Sequence, residues 1–110
     1  MKLPIMIIGT LLIASSAIAK DGQKIDASLC PMLGGIAKTI MERRQQNVPM
    51  SELIEAIDKG LGQNDAVGGF AKTIVIQAYD APGYATEESK KQEVLRFSNT
   101  VMQVCYKGTL

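Results

Sequence analysis

The sequence predicts a small all-α domain, a single four-helix bundle tied by one disulfide. Three observations predict it. Apolar residues recur at spacings of three and four in four separate stretches, with turn signals between them. The only two cysteines, Cys30 and Cys105, stand near the two ends of the helical region. The chain also opens with a segment patterned for export, which brings those cysteines into an oxidising compartment.

In the export segment, Lys2 supplies a positive n-region and Leu3 to Ile13 an almost unbroken apolar h-region. Ala17-Ile18-Ala19 is a small-x-small cleavage site. Residues 1–19 read as a signal peptide, cut between Ala19 and Lys20. The remaining exported domain, 20–110, is periplasmic or secreted and too short for two domains. A retained anchor is the competing reading, but the apolar run is short for a bilayer span. Cys30 lies too far beyond Ala19 for lipid modification of the N-terminus.

The helices follow in order. In the first, Ile25, Leu29, Met32, Leu33, Ile36, Ala37, Ile40 and Met41 form one stripe. Asp26 or Ser28 can cap its start, and Pro31 suits the first turn, where a backbone N–H is not needed. Gly34-Gly35 within that stripe suggests a close helix crossing. The polar run Glu42 to Asn47 ends the helix, and Val48-Pro49 breaks it. Ser51 reads as the cap of a second helix whose apolar face is Leu53, Ile54, Ile57 and Leu61. Glu52 and Glu55 sit near its positive end, and Gly60 and Gly62 close it. The stretch 63–65 is a turn. Val67, Phe70, Ala71, Ile74, Val75 and Ala78 make the face of a third helix, widened by Ile76. The β-branched run Thr73 to Ile76 also permits a strand, but the spacing on both sides favours a helix. Asp80-Ala81-Pro82-Gly83 is a turn. Thr86 caps a fourth helix bearing Val94, Phe97, Val101, Val104 and Cys105, with Leu95 and Met102 broadening the face. Lys107-Gly108 fits its end.

If the first and fourth helices run antiparallel, Cys30 and Cys105 lie at the same end of the bundle and a disulfide joins them. Two buried free thiols are the alternative. A domain this small has a thin core, and a bridge closing a long loop is a common remedy.

Composition limits the function. The chain has 12 basic and 11 acidic residues, and loss of the leader removes Lys2, leaving a neutral domain. No basic excess marks a nucleic-acid or anionic-membrane partner. There is no histidine. That excludes Ser-His-Asp and Cys-His catalysis and any histidine-containing zinc site. No phosphate-binding loop is present, since neither Gly34-Gly35 nor Gly68-Gly69 is followed directly by Lys-Ser/Thr, as that loop requires. Glu87 and Glu88 are adjacent at a helix start and read as support for the helix dipole. No cofactor or metal is expected. Glu42-Arg43-Arg44-Gln45-Gln46 reads either as the solvated end of a helix or as a recognition patch. Tyr79 and Tyr84 bracket the turn, either packing against it or presenting a surface to a partner.

Cys30, Ala37 to Gln45, Ala78 to Pro82, Phe97 and Cys105 resemble a group of small exported bacterial and phage proteins. The shared pattern is a cysteine, Ile-Met-x-x-Arg-Gln, Ala-Tyr, a phenylalanine and a closing cysteine. The resemblance implies a helical, disulfide-tied domain and brings no activity with it. It marks Arg44, Gln45 and Tyr79 as the first positions to test. Acid-activated periplasmic chaperones and small helical immunity proteins are similar in outline alone.

The expected function is therefore binding without catalysis. The expected form is an inhibitor or immunity-type protein docking on another envelope or secreted protein, with Arg43, Arg44, Gln45, Tyr79 and Tyr84 as candidate contacts. A periplasmic stress chaperone is the alternative.

Overall fold

A computed structural model describes residues 26–61 and 65–108. The expected signal peptide and positions 63 and 64 of the expected turn lie outside the described residues, whereas Asp65, the last residue of that turn, is already helical. Among the described residues there are four α-helices: α1 (Cys30–Gln45), α2 (Met50–Leu61), α3 (Asp65–Ala78) and α4 (Glu87–Lys107). A 3-10 turn, Ala27–Leu29, precedes α1. There is no strand among the described residues, and the run Thr73 to Ile76 is helical.

The termini show what local chemistry decides. Asp26 accepts from the Ser28 N–H, but it caps the 3-10 turn, and α1 itself starts at Cys30, five residues later than the apolar spacing suggests. Pro31 occupies the first turn of α1. At the other end of α1, Asn47 adopts φ 66. The Val48 N–H donates to the Arg43 carbonyl and the Asn47 N–H to the Arg44 carbonyl. This is a Schellman closure with asparagine in the left-handed position usually held by glycine.

Ser51 does not cap α2. The helix already includes Met50, and the Glu52 N–H finds the Pro49 carbonyl instead. Gly60 lies inside the helix rather than ending it. Thr86 does cap α4, accepting from the Ser89 N–H at 3.1 Å, and Gly108 closes α4 at φ 76.

α1 packs most extensively on α4, and it also meets α3; α2 packs on α3. One continuous core joins Leu33, Ala37, Ile40 and Met41 of α1 to Leu53 and Ile57 of α2. Ala71, Ile74, Val75 and Ala78 of α3, and Val94, Phe97 and Val101 of α4, complete it. Cys30 and Cys105 form a disulfide with a Cα–Cα distance of 5.7 Å, and both are buried. α1 and α4 are therefore antiparallel and cross-linked at one end.

The glycine pair divides in role. A Cβ at Gly34 would collide with the Met102 side chain, so the two helices cross closely there. Ser98 Oγ donates to the Gly34 carbonyl at 2.9 Å across the same crossing. Nothing lies within 4 Å of a Cβ at Gly35. Two residues expected to widen buried faces are instead exposed, Ile76 at 55% and Leu95 at 64%. Four helices around one small core leave no second surface to cover them.

Candidate functional site

The polar residues singled out by sequence converge at the end of the bundle away from the disulfide. Gln45 is the last residue of α1, so it and Arg44 reach the connection that follows α3. Arg44 Nε and Nη2 donate to the Ala81 carbonyl at 3.1 and 2.8 Å. The guanidinium lies over the Tyr79 ring, 5.2 Å from its centroid, a cation–π arrangement. The Tyr79 hydroxyl donates to the Val48 carbonyl in a short hydrogen bond. Gln45 is 3% exposed and uses both ends of its amide. Its Nε2 donates to the Pro82 carbonyl at 3.0 Å, and its Oε1 accepts from the Tyr84 N–H at 2.8 Å.

Arg44 and Gln45 thus serve the backbone of 81–84, which forms no helix of its own, while Tyr79 bonds the backbone at Val48. A buried carbonyl or N–H without a partner costs on the order of 1–3 kcal/mol. Arg44 and Gln45 remove that cost and hold the connection against α1, and Tyr79 ties the end of α3 to the chain just beyond α1. Burial pushes the Tyr79 hydroxyl above its ordinary value of 10.0, with the Arg44 charge opposing. Gly83 passes close beside this cluster, where a Cβ would lie 3.7 Å from Arg44 Nη1.

Arg44, Gln45 and Tyr79 thus meet, as does the backbone of Tyr84, but they meet each other's chain. Arg43 stands apart and is exposed, and the Tyr84 side chain is at the surface. Among the described residues no group of three His, Cys, Asp or Glu side chains is placed to hold a metal. No described helix is long and apolar enough to cross a membrane.

The open surface lies elsewhere, in two grooves. The first runs along the α1–α4 seam, holds about 500 Å³, and is lined by Lys38, Glu42, Val94, Leu95, Lys90 and Lys91 among others. Its α4 side, Glu87, Lys90, Lys91, Val94, Leu95 and Ser98, repeats at three and four and so forms one straight wall. The second, about 460 Å³, lies between α1 and α2. Met32, Gly35, Ile36 and Thr39 form one wall and Leu53, Ala56 and Ile57 the other. Glu42, Gln45 and Gln46, which line the first groove, belong to the recognition patch the sequence offered; no other wall residue was a sequence candidate for binding. The one available signal was Leu95, an apolar residue beside Arg96 and one turn after Lys91, a pattern that also fits the edge of a core.

Comparison of the chain with protein-family models, with curated proteins and with solved structures finds no match.

Proposed function

We propose that this chain is an exported, non-enzymatic binding protein that docks on another envelope protein, as an inhibitor or immunity-type partner. The proposal includes cleavage after Ala19 and a periplasmic or secreted destination. The buried Cys30–Cys105 bridge supports it, because such bonds persist in oxidising compartments. The resemblance to small exported bacterial and phage proteins belongs to the same reading.

The carrying observation is the α1–α4 groove. It lies on the two helices joined by the disulfide, by the Ser98–Gly34 bond and by the Gln45 bonds to Pro82 and Tyr84. A surface already held in place loses little conformational freedom on docking. Leu95, 64% exposed, is the most exposed large apolar residue described, and it lies within this concavity.

A second reading, a periplasmic stress chaperone binding unfolded proteins, is favoured by the α1–α2 groove. That groove is almost wholly apolar, and Met32 on its wall is 42% exposed. Methionine adapts to irregular apolar partners.

A pull-down of the mature protein from envelope extract, at neutral and at acid pH, separates the two. One stoichiometric partner at neutral pH supports docking. Many partners at acid pH alone support the chaperone reading, and no partner at either pH contradicts both.

A further inference from the structure

The α1–α4 groove carries its own chemical specification. The Ser98 to Gly34 hydrogen bond sets the register of its walls near the disulfide end, and the Tyr84 N–H to Gln45 bond ties the segment just before α4 to the end of α1. Lys38 of α1 therefore lies level with the turn of α4 that holds Lys91, Val94 and Leu95. Glu42 and Gln46 lie further along, level with Lys90 and Glu87. Lys38 and Lys91 flank the exposed leucine, while Glu42 and the Glu87–Lys90 ion pair lie towards the Gln45 end.

The three lysines differ. Lys90 Nζ is 3.6 Å from a Glu87 carboxylate oxygen and is largely covered. Lys38 and Lys91 are exposed and form no ion pair among the described residues. Leu95 thus sits between two uncommitted ammonium groups, Lys91 one turn earlier on its own helix and Lys38 on the facing one. Val94 forms the floor beneath. The aliphatic stems of both lysines add apolar wall while their charges stay in water.

Resting on the binding reading above, we infer that this groove takes an acidic protein segment, seating an aliphatic side chain on Leu95 and carboxylates on Lys38 and Lys91. The mixed charge selects a protein segment over a continuous polyanion. A nucleic acid or an anionic membrane brings evenly spread negative charge, and Glu42 and Glu87 in the same groove repel it. A peptide can place carboxylates at the Lys38 end and keep the Glu42 end neutral or basic. Exposed charges contribute modestly one at a time, so the two lysines govern selectivity and salt dependence, and Leu95 supplies the apolar area.

The test uses a short synthetic helical peptide of alternating leucine and glutamate turns, with a twin carrying lysine in place of glutamate. Each is titrated into the isotope-labelled, disulfide-bonded protein, and backbone amide shifts are followed. The expected result is shifts centred on Lys38, Lys91 and Leu95 with the acidic peptide, weakening as salt rises and absent with the basic twin. A K38E/K91E variant should lose about tenfold or more in affinity. Leu95→Ala should weaken binding at unchanged melting temperature, because the side chain is not part of the core.

Equal shifts with both peptides, shifts confined to the α1–α2 groove, or no shifts would overturn the inference. Binding to phosphatidylglycerol vesicles without binding to the acidic peptide would also overturn it. Pull-down with the K38E/K91E variant separates this inference from the reading beneath it. An envelope partner held equally by wild type and variant removes the groove assignment and leaves the docking function standing. Peptide binding by a protein that captures no envelope partner keeps the groove chemistry and removes the function.

Discussion

The two halves of the bundle are held by different physics. α1 and α4 share a covalent bond, a hydrogen bond across a glycine crossing, and, through Gln45, hydrogen bonds to the segment leading into α4. α2 and α3 share apolar burial and one partly exposed ion pair, Lys72 to Asp58 at 2.5 Å. The first pair is constrained at both ends and therefore offers a fixed surface. The second is held by side-chain packing and that one ion pair, with no covalent link, and α2 packs chiefly on α3. A stiff half that presents a groove and a softer half that borders another is the division a docking protein can use. It is also the division a chaperone would need, with the softer half opening first.

Breaking the bridge is the largest test of this contrast. Replacing Cys30 and Cys105 by alanine should lower stability by about 4 kcal/mol, because the bridge spans 75 residues of sequence. Denaturant unfolding measures it. If the loss is small, the α1–α4 half owes its rigidity to packing and the contrast weakens.

In the softer half, Ile57→Ala removes a buried side chain at the α2–α3 contact and should cost about 2–4 kcal/mol. Hydrogen exchange sharpens the comparison. α2 amides should exchange through local opening faster than α1 and α4 amides, and the variant should widen that gap.

Gln45→Ala should cost about 2 kcal/mol by leaving the Pro82 carbonyl and the Tyr84 N–H without partners. It should not weaken capture of a partner beyond that loss of fold. A specific binding loss at unchanged stability would return Gln45 to the docking surface.

The smallest effect concerns pH. The folded state holds the Tyr79 proton more tightly than the unfolded chain does, since burial raises its pKa above 10.0. The stabilisation is complete below pH 10 and declines as pH rises through the folded value. Tyr79→Phe should remove this alkaline step, as read from melting temperature against pH.

Much of the architecture is legible in one dimension because its causes are local. Helical spacing, Thr86 before α4, Gly108 after it and the Asp80-to-Gly83 turn each act within a few residues. The local signals that misled were those with a near competitor. Ser51 was a good cap one residue too late, once the Pro49 carbonyl was available to the Glu52 N–H. Asp26 capped, but the element it capped was a 3-10 turn.

The candidate site was legible in part. Arg44, Gln45 and Tyr79 stand out as residue types that hydrogen-bond or stack at close quarters, and they do meet. Whether they face a partner or the chain's own backbone depends on where residues 81–84 run, 37 positions or more away in sequence.

The sequence by itself determined the class and the four helical stretches, because periodicity and capping need no knowledge of neighbours; the Cys30–Cys105 bridge it anticipated on condition that the first and last helices run antiparallel, which the fold supplies. Tertiary structure alone decided that Gly34 is a crossing while Gly35 is open. It decided that Leu95 is surface while Val94 is core, and that the Arg-Gln pair is spent on a loop. Each of those depends on which helix lies opposite. Adjacent residues point in directions about 100° apart on a helix, so neighbouring letters in the sequence meet entirely different surroundings.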